Sequence, residues 1–352
     1  MRYHKDFGIN LFSSDERLSE LEQLGDPLLT LSAHIDFEFF RETLEQRLYG
    51  DYDGSKGGRP PFDPVVMFKV LVLQRLYNLS DDAVEFQIKD RLSFMRFLGM
   101  NFASRVPDAK TVWIFREHLQ SKGLVKTLFD QLNAELEKRQ IIAKTGQIVD
   151  ASFVEAPRQR NTRSENKTIK SGSVPEGWEE EPKRFSQKDT DARWTKKNGV
   201  SYYGYKDHVV CDRKSKIITA YEVTDASVHD SQTLETLVCT GVADSQELYA
   251  DSAYRSEEIE ATLAARGIRS RVHHRAYKNR PLTEKQKATN KTKSRKRARV
   301  EHVFGFMTNS MGGMTARCCS KARNAVVIGL MNVTYNLCRV VQLGKTVQVS
   351  RG

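Results

Sequence analysis

The sequence predicts an α + α/β chain: a helical N-terminal region, then a mixed-sheet domain that carries a polar insertion and ends in helices. Three observations predict it. Apolar residues recur at helical spacing as far as about residue 140. The period then shortens to that of strands, first at Ile148–Phe153. Short strands and helices alternate after residue 200, and a last apolar helix closes the chain. These changes divide the chain into a helical segment 1–50, a helical block 51–140 and a mixed domain 141–352 with an insertion at 155–199.

In the first segment Ser14-Asp15-Glu16 starts a helix with Leu18, Leu21 and Leu24 on one face. Asp36 caps a second helix through Phe37, Phe40, Leu44 and Leu48, which ends at Gly50. Residues 51–61 are a Gly/Pro-rich linker. Asp63-Pro64 is an N-cap followed by proline at the first helical position. Ser80 opens the next helix, and Pro107-Asp108 another that runs to Gly123. Short helices with tight turns suit a helix-turn-helix DNA reader and a plain bundle equally. Lys110, Arg116, Arg91 and Arg96 are the candidate phosphate contacts there.

In the mixed domain, Ile148–Phe153 is an apolar strand with a carboxylate, Asp150, in its middle. Residues 155–199 are polar and poor in aliphatics, as in a long loop or partly disordered insertion. Tyr202–Cys211 and Lys216–Val223 read as a hairpin, and Glu247–Asp251 as a strand ending in an acid. Ser256–Arg266 is a helix, Ile268–Val272 a last strand, and a helix is expected to begin at Arg295. Ala322–Val341 is the C-terminal helix.

Composition narrows the function classes. A charged share of 29% and a hydrophobic share of 39% fit a soluble protein. Net charge is +11, and residues 269–299 hold thirteen Lys/Arg against one acid, Glu284. So one-sided a segment points to a polyanion, nucleic acid first. Five cysteines without a C-x-x-C pair fit neither a zinc ribbon nor a disulfide framework. The opening residues show no signal peptide, and no late apolar run reaches a membrane span, so a cytoplasmic, nucleoid-associated protein without a membrane partner is expected.

Three acids carry the candidate chemistry. A buried carboxylate is costly unless it is paired or binds a metal. Asp150 sits mid-strand, Asp251 ends a strand, and Glu301 lies among Val300, Val303 and Phe304. Two strand-borne Asp and a helix-borne Glu can hold Mg²⁺, with Mn²⁺ as a substitute, for phosphoryl transfer. Arg297, four residues before Glu301, reads either as a phosphate clamp or as an ordinary ion pair. His208 and His229 read as phosphate contacts or, with more weight, as hydrogen-bonded structural groups. Asp230 or Ser231 caps the next helix, and Trp194 and the tyrosines at 202, 203 and 205 are packing residues or base-stacking platforms.

These motifs together resemble the bacterial insertion-sequence transposases of the DDE class, in the group of insertion sequence five. The matching stretches are Ile148-Val-Asp150-Ala-Ser, Tyr203-Gly-Tyr-Lys206-Asp-His208, Thr224-Asp-Ala-Ser-Val-His229-Asp230-Ser231, Ala250-Asp251-Ser-Ala-Tyr254 and Arg297-x-x-x-Glu301-His-Val-Phe-Gly. Gly57-Gly58-Arg59-Pro60-Pro61-Phe62 and Pro107-Asp108-x-x-Thr111 match as well. The resemblance implies an RNase H-like catalytic domain in which Asp150, Asp251 and Glu301 bind metal and Arg297 assists. It implies double-stranded DNA as partner, both terminal inverted repeats and target, and a homodimer or higher assembly. Candidate DNA contacts are Lys206, Lys291, Lys293, Arg295, Lys296 and Arg299. The family's extended signature has a Tyr three residues before the Arg and a Lys seven after the Glu; Ser294 and Thr308 stand there. Two alternatives stay open: a metal-dependent nuclease without strand transfer, and a non-catalytic DNA-binding protein derived from a transposase.

Overall fold

The computed structural model describes residues 13–50, 57, 59–241, 246–277 and 280–348. Most of the expected linker, residues 51–56 and 58, lies outside them. The helical region comprises α1 (Ser13–Gln23), α2 (Pro27–His34), α3 (Arg41–Tyr49), α4 (Pro64–Leu76), α5 (Asp81–Asp90), α6 (Leu92–Leu98), α7 (Ala109–Ser121) and α8 (Leu124–Lys138). Its starts are set by side-chain caps: Asp63 accepts from Val65 and Val66, Ser80 from Ala83, and Asp108 from Thr111. Asp36 caps a short 3₁₀ turn, Phe37–Phe40, rather than α3 itself.

Three of the four phosphate candidates here are engaged within the protein. Arg116 is buried and grips both Asp81 oxygens, at 2.7 and 2.8 Å. Arg96 bonds Asp26 at 2.6 Å, and Arg91 lies over the rings of Phe94 and Tyr77. Lys110 is exposed.

The mixed domain follows as β1 (Gln147–Glu155), α9 (Arg163–Lys170), α10 (Pro182–Phe185), β2 (Arg193–Lys197), β3 (Val200–Asp212), β4 (Ile218–Asp225), α11 (Leu234–Gly241), β5 (Glu247–Tyr249), α12 (Glu257–Ala265), β6 (Arg269–Ser270), α13 (Glu284–Arg297), α14 (Glu301–Asn309) and α15 (Lys321–Gln342). The sheet order is β2-β3-β1-β5-β6, with β4 also on β3. β3 is long enough to pair β2 along its first half and β4 along its second. β1 and β4 run antiparallel to β3, whereas β5 and β6 continue parallel to β1. Gly204 has φ +141, and a Cβ there would collide with the backbone of Val154 and Ala156, so the Tyr-Gly-Tyr motif needs its glycine.

The insertion is more ordered than its composition suggests. A capping box, Thr162 with Glu165, starts α9. Trp178 is buried against Phe185 and Lys188 and donates to Glu165. Buried Asp189 accepts from Tyr205 Oη at 2.8 Å and from Asn324 at 3.2 Å, which anchors the insertion to the sheet and to α15.

The two sheet faces meet different cores. Val149, Val210, Leu248 and Ala250 pack against α11 and α12 residues. Ile148, Val209, Cys211 and Tyr249 join a larger core that runs without a break from Leu28 in α2 to Val347. α15 is the shared element, packing on α2, α4, α7, α8 and β4. Among the described residues it is also the one helix long and apolar enough to cross a membrane, but 78% of its most apolar window is buried in the fold. Gly329 lets it approach the sheet, because a Cβ there would collide with Tyr221 Oη.

One polar pair lies inside this packing. Asp207 on β3 is fully buried and accepts from Asn332 of α15 at 3.1 Å, while Asp207 Oδ2 and Asn332 Oδ1 have no partner. Burial pushes the Asp207 carboxyl up to about 7. A proton on Oδ2 can donate to Asn332 Oδ1, so one proton serves both orphaned atoms. Because the folded chain holds this proton more tightly than an unfolded carboxyl, stability falls as pH rises from about 4 to about 7. The expected slope from this group is on the order of 1.4 kcal/mol per pH unit. Asp207→Asn should keep the paired geometry and flatten that slope, read by denaturant melts across the window.

Candidate active site

Strand register brings the first two acids together. β1 and β5 pair in parallel at Gln147 with Leu248 and Ile148 with Tyr249. Carrying the register two residues on sets Asp150 beside Asp251, on the sheet face shared by Ile148 and Tyr249. β5 ends at Tyr249, and Asp251 turns the chain away by accepting from the N–H of Ser252 at the head of a 3₁₀ turn. Asp251 therefore lies just past the last paired rung of the β1–β5 ladder, at the carboxyl end of β5, while β1 continues past Asp150 to Glu155 in its pairing with β3.

Asp150 is largely buried, and burial raises its carboxyl above the usual range; Arg297 opposes the rise and Asp251 adds to it. The Arg297 guanidinium bonds Asp150 Oδ2 through Nη1 and reaches Glu301 Oε1 through Nη2 at 3.8 Å. The two ends of the expected Arg-to-Glu helix are in fact on different helices. α13 ends at Arg297, a turn spans 298–300, and α14 starts at Glu301. The single helix expected from Arg295 is thus two: α13, which begins at Glu284 behind the Thr283–Gln286 capping box, and α14.

Glu301 is two-thirds exposed and Asp251 half exposed, and no group of three His, Cys, Asp or Glu side chains is gathered closely enough to hold a metal among the described residues. Asp150 and Asp251 lie within electrostatic reach of each other, while Glu301 stands across Arg297 from Asp150.

Two further groups face these acids. His273 Nδ1 lies 3.7 Å from Asp251 Oδ1; burial lowers its pKa and Asp251 opposes that. Tyr254 is buried, and its hydroxyl has no partner. Burial holds its phenol far above the ordinary value, and the charges of Asp230, Asp150 and Asp251 add to this. The sequence offered a hint of Tyr254 in the Asp251-Ser-Ala-Tyr turn but none for His273, whose neighbourhood depends on how β6 is placed. Ser294, at the departing signature position, sits 3.4 Å from His273.

The candidate DNA contacts divide. Lys291 and Arg295 are exposed and have no ion pair among the described residues. Lys296 donates to Tyr249 Oη and Arg299 to the Arg213 carbonyl, both from exposed positions. Lys293 is buried on the Val272 carbonyl. Lys206 is buried too, held by Asp230 and the Val228 carbonyl. Asp230 is thus a partner of Lys206, and His229 caps the following turn instead, accepting from Ser231. His208 is structural: it lies between Thr224 and Thr233, and burial pulls its pKa down to about 4. Tyr205 is buried, and Tyr202 stacks on Phe153 at 4.2 Å. Trp194 is half exposed on β2 beside Tyr203.

A family model described as Transposase DDE domain matches residues 142–337. Another, described as Transposase domain, matches residues 16–118. A cryo-EM structure of piggyBac transposase in a synaptic complex with hairpin DNA is similar at 12% identity and a TM-score of 0.45, covering 94% of this chain and 78% of that one.

Arg297→Gln should leave Asp150 buried without its cation. The expected loss near neutral pH in chelator is roughly 2 kcal/mol, below the ~3–5 kcal/mol of a fully buried pair because this one is partly solvated. Adding Asp150→Asn should recover most of the loss, and thermal melts of the three variants test the coupling.

Proposed function

The chain belongs to the family of transposases with a DDE domain, and on that premise we propose that it cuts and joins DNA at the ends of an insertion sequence, using Asp150, Asp251 and Glu301 as its acids. The observation that carries this reading is the β1–β5 register, which makes neighbours of two carboxylates distant in sequence. The strand order supports an RNase H-like domain, with antiparallel strands on one side of β1 and parallel strands on the other.

In this reading Asp150, Asp251 and Glu301 are the residues that would hold a divalent cation, Mg²⁺ or Mn²⁺. The cation supplies Lewis acidity: it makes a water or a DNA 3′-hydroxyl more acidic and offsets charge on the phosphate. Arg297 then has two donors free for the scissile phosphate, a bidentate arrangement that suits guanidinium. Exposed Lys291, Arg295, Lys296 and Arg299 line the DNA path, and the helical region reads the terminal inverted repeats. Two ends must be joined to one target, so the active form is a dimer or higher assembly. The place of work is the bacterial cytoplasm, on the nucleoid.

Asp150→Asn should reduce cleavage of duplexes bearing the native element ends by more than about 100-fold, since even outer-shell partners of metal ligands cost about 10–100-fold. End binding should be retained. Excision untouched by Asp150→Asn would remove the metal-site assignment. Strand transfer from pre-cut ends, with and without Mg²⁺, separates a transposase from a nuclease that only hydrolyses.

A further inference from the structure

The β3–β4 turn adds Arg213, Lys214 and Lys216 to Lys296 and Arg299 at the end of the basic segment 269–299. Two open cavities flank this turn. One, of about 410 Å³, is lined by Thr145, Arg213, Lys214, Lys296 and Arg299. The other, of about 510 Å³, lies between the turn, α14 and α15, and includes Lys216, His302, Arg339 and Glu301. Glu301 is the one acid in either lining.

The cations converge. Arg299 donates to the Arg213 carbonyl at 2.9 Å, which fixes the end of α13 on the turn. Arg339 Nε donates to the Ser215 carbonyl at 2.7 Å, which fixes α15 on its other side. Lys216 lies between them: burial lowers its pKa, and the charges of Arg339 and Arg299 lower it further. Arg213 is neutralised by Glu247 at 3.0 Å, but Lys214 and Lys216 have no ion pair among the described residues. Like charges held this close by backbone bonds repel one another, and an ordinary solvated surface offers acids between them.

We propose that the two cavities flanking this turn, one on Lys214 and Arg299 and the other on Lys216 and Arg339, together form a binding cleft for the phosphodiester backbone of duplex DNA next to the scissile phosphate. Glu301 lines the same cavity as Lys216 and Arg339, so a strand leaving the reacting centre past Glu301 enters the cleft directly. A duplex presents one negative charge per about 1.7 Å of axis, which matches a row of unpaired cations better than a single small anion does. The inference rests on the transposase reading and adds to it a place for the DNA flank.

The test is the salt dependence of duplex binding by the full chain, using one duplex bearing the native element end and an unrelated duplex of equal length. Lys214→Gln with Lys216→Asn removes two cations; asparagine tolerates the positive φ of +62 at position 216. Loss of two phosphate contacts should make the slope of log K against log salt shallower by about 1.8. Hydroxyl-radical protection should also disappear beside the cleavage position. The exposed single variant Lys214→Glu, which touches no packed group, should give the same footprint loss if the double variant is poorly folded. Unchanged slope and footprint in a variant whose parent binds and cuts DNA would overturn the cleft assignment alone. A parent that binds neither duplex would overturn the functional reading and the cleft with it.

Discussion

Burial works against the charge of Asp150, and the guanidinium of Arg297 stands beside it. Asp150 is mostly buried in a strand, and its nearest neighbour across the parallel register is another acid. Both facts push against ionisation; the Arg297 guanidinium opposes them, and the Ala151 N–H and the charge of Lys197 add to it. Much of the surrounding architecture delivers that guanidinium. α13 must end at Arg297, and the 298–300 turn must redirect the chain so that Glu301 starts a new helix on the far side of the arginine. The Lys296 bond to Tyr249 Oη and the Arg299 bond to the Arg213 carbonyl fix this end of α13 on the sheet. The ion pair is thus the point where strand register, helix termination and charge meet.

The second organising element is α15. It is apolar enough to pass for a membrane helix, yet its surface is covered by α2, α4, α7, α8 and β4. Covering it joins the helical region to the sheet in one continuous core. Arg323 adds a bond to Glu117 of α7, and Asn336 satisfies both backbone groups of Ile218 on β4. The helical region and the strands that carry Asp150 and Asp251 thus share one packed core.

Some of this was legible in the sequence. Capping signals at Asp63, Ser80 and Asp108 placed helix starts, because a cap acts on N–H groups within three residues of itself. Asp150 stood out because a carboxylate in an apolar strand violates the local pattern. What stayed hidden depends on tertiary pairing. Arg116 looked like a phosphate contact until Asp81 met it across the bundle. Lys206 looked free until Asp230 closed on it. The insertion looked disordered because its small core is aromatic and polar, built from Trp178, Glu165 and Asp189, where a count of aliphatics sees nothing. The capping box at Thr283 was readable, but the density of lysine and arginine after it drew attention to charge and away from helix formation.

The electrostatics of the centre also constrain how it can work. Three acids stand against the one guanidinium of Arg297, and a phosphodiester would bring further negative charge. The basic surface can bring DNA close, since its charges act over about a Debye length, roughly 8–10 Å. It cannot neutralise carboxylates in contact with the phosphate, because its lysines point into solvent or are held by carbonyls. Arg297 spends Nη1 on Asp150, while Nη2 stands 3.8 Å from Glu301 and Nε has no partner. On the proposed reading, a divalent cation held by Asp150 and Asp251 would offset this negative charge and would leave Arg297 to face the substrate.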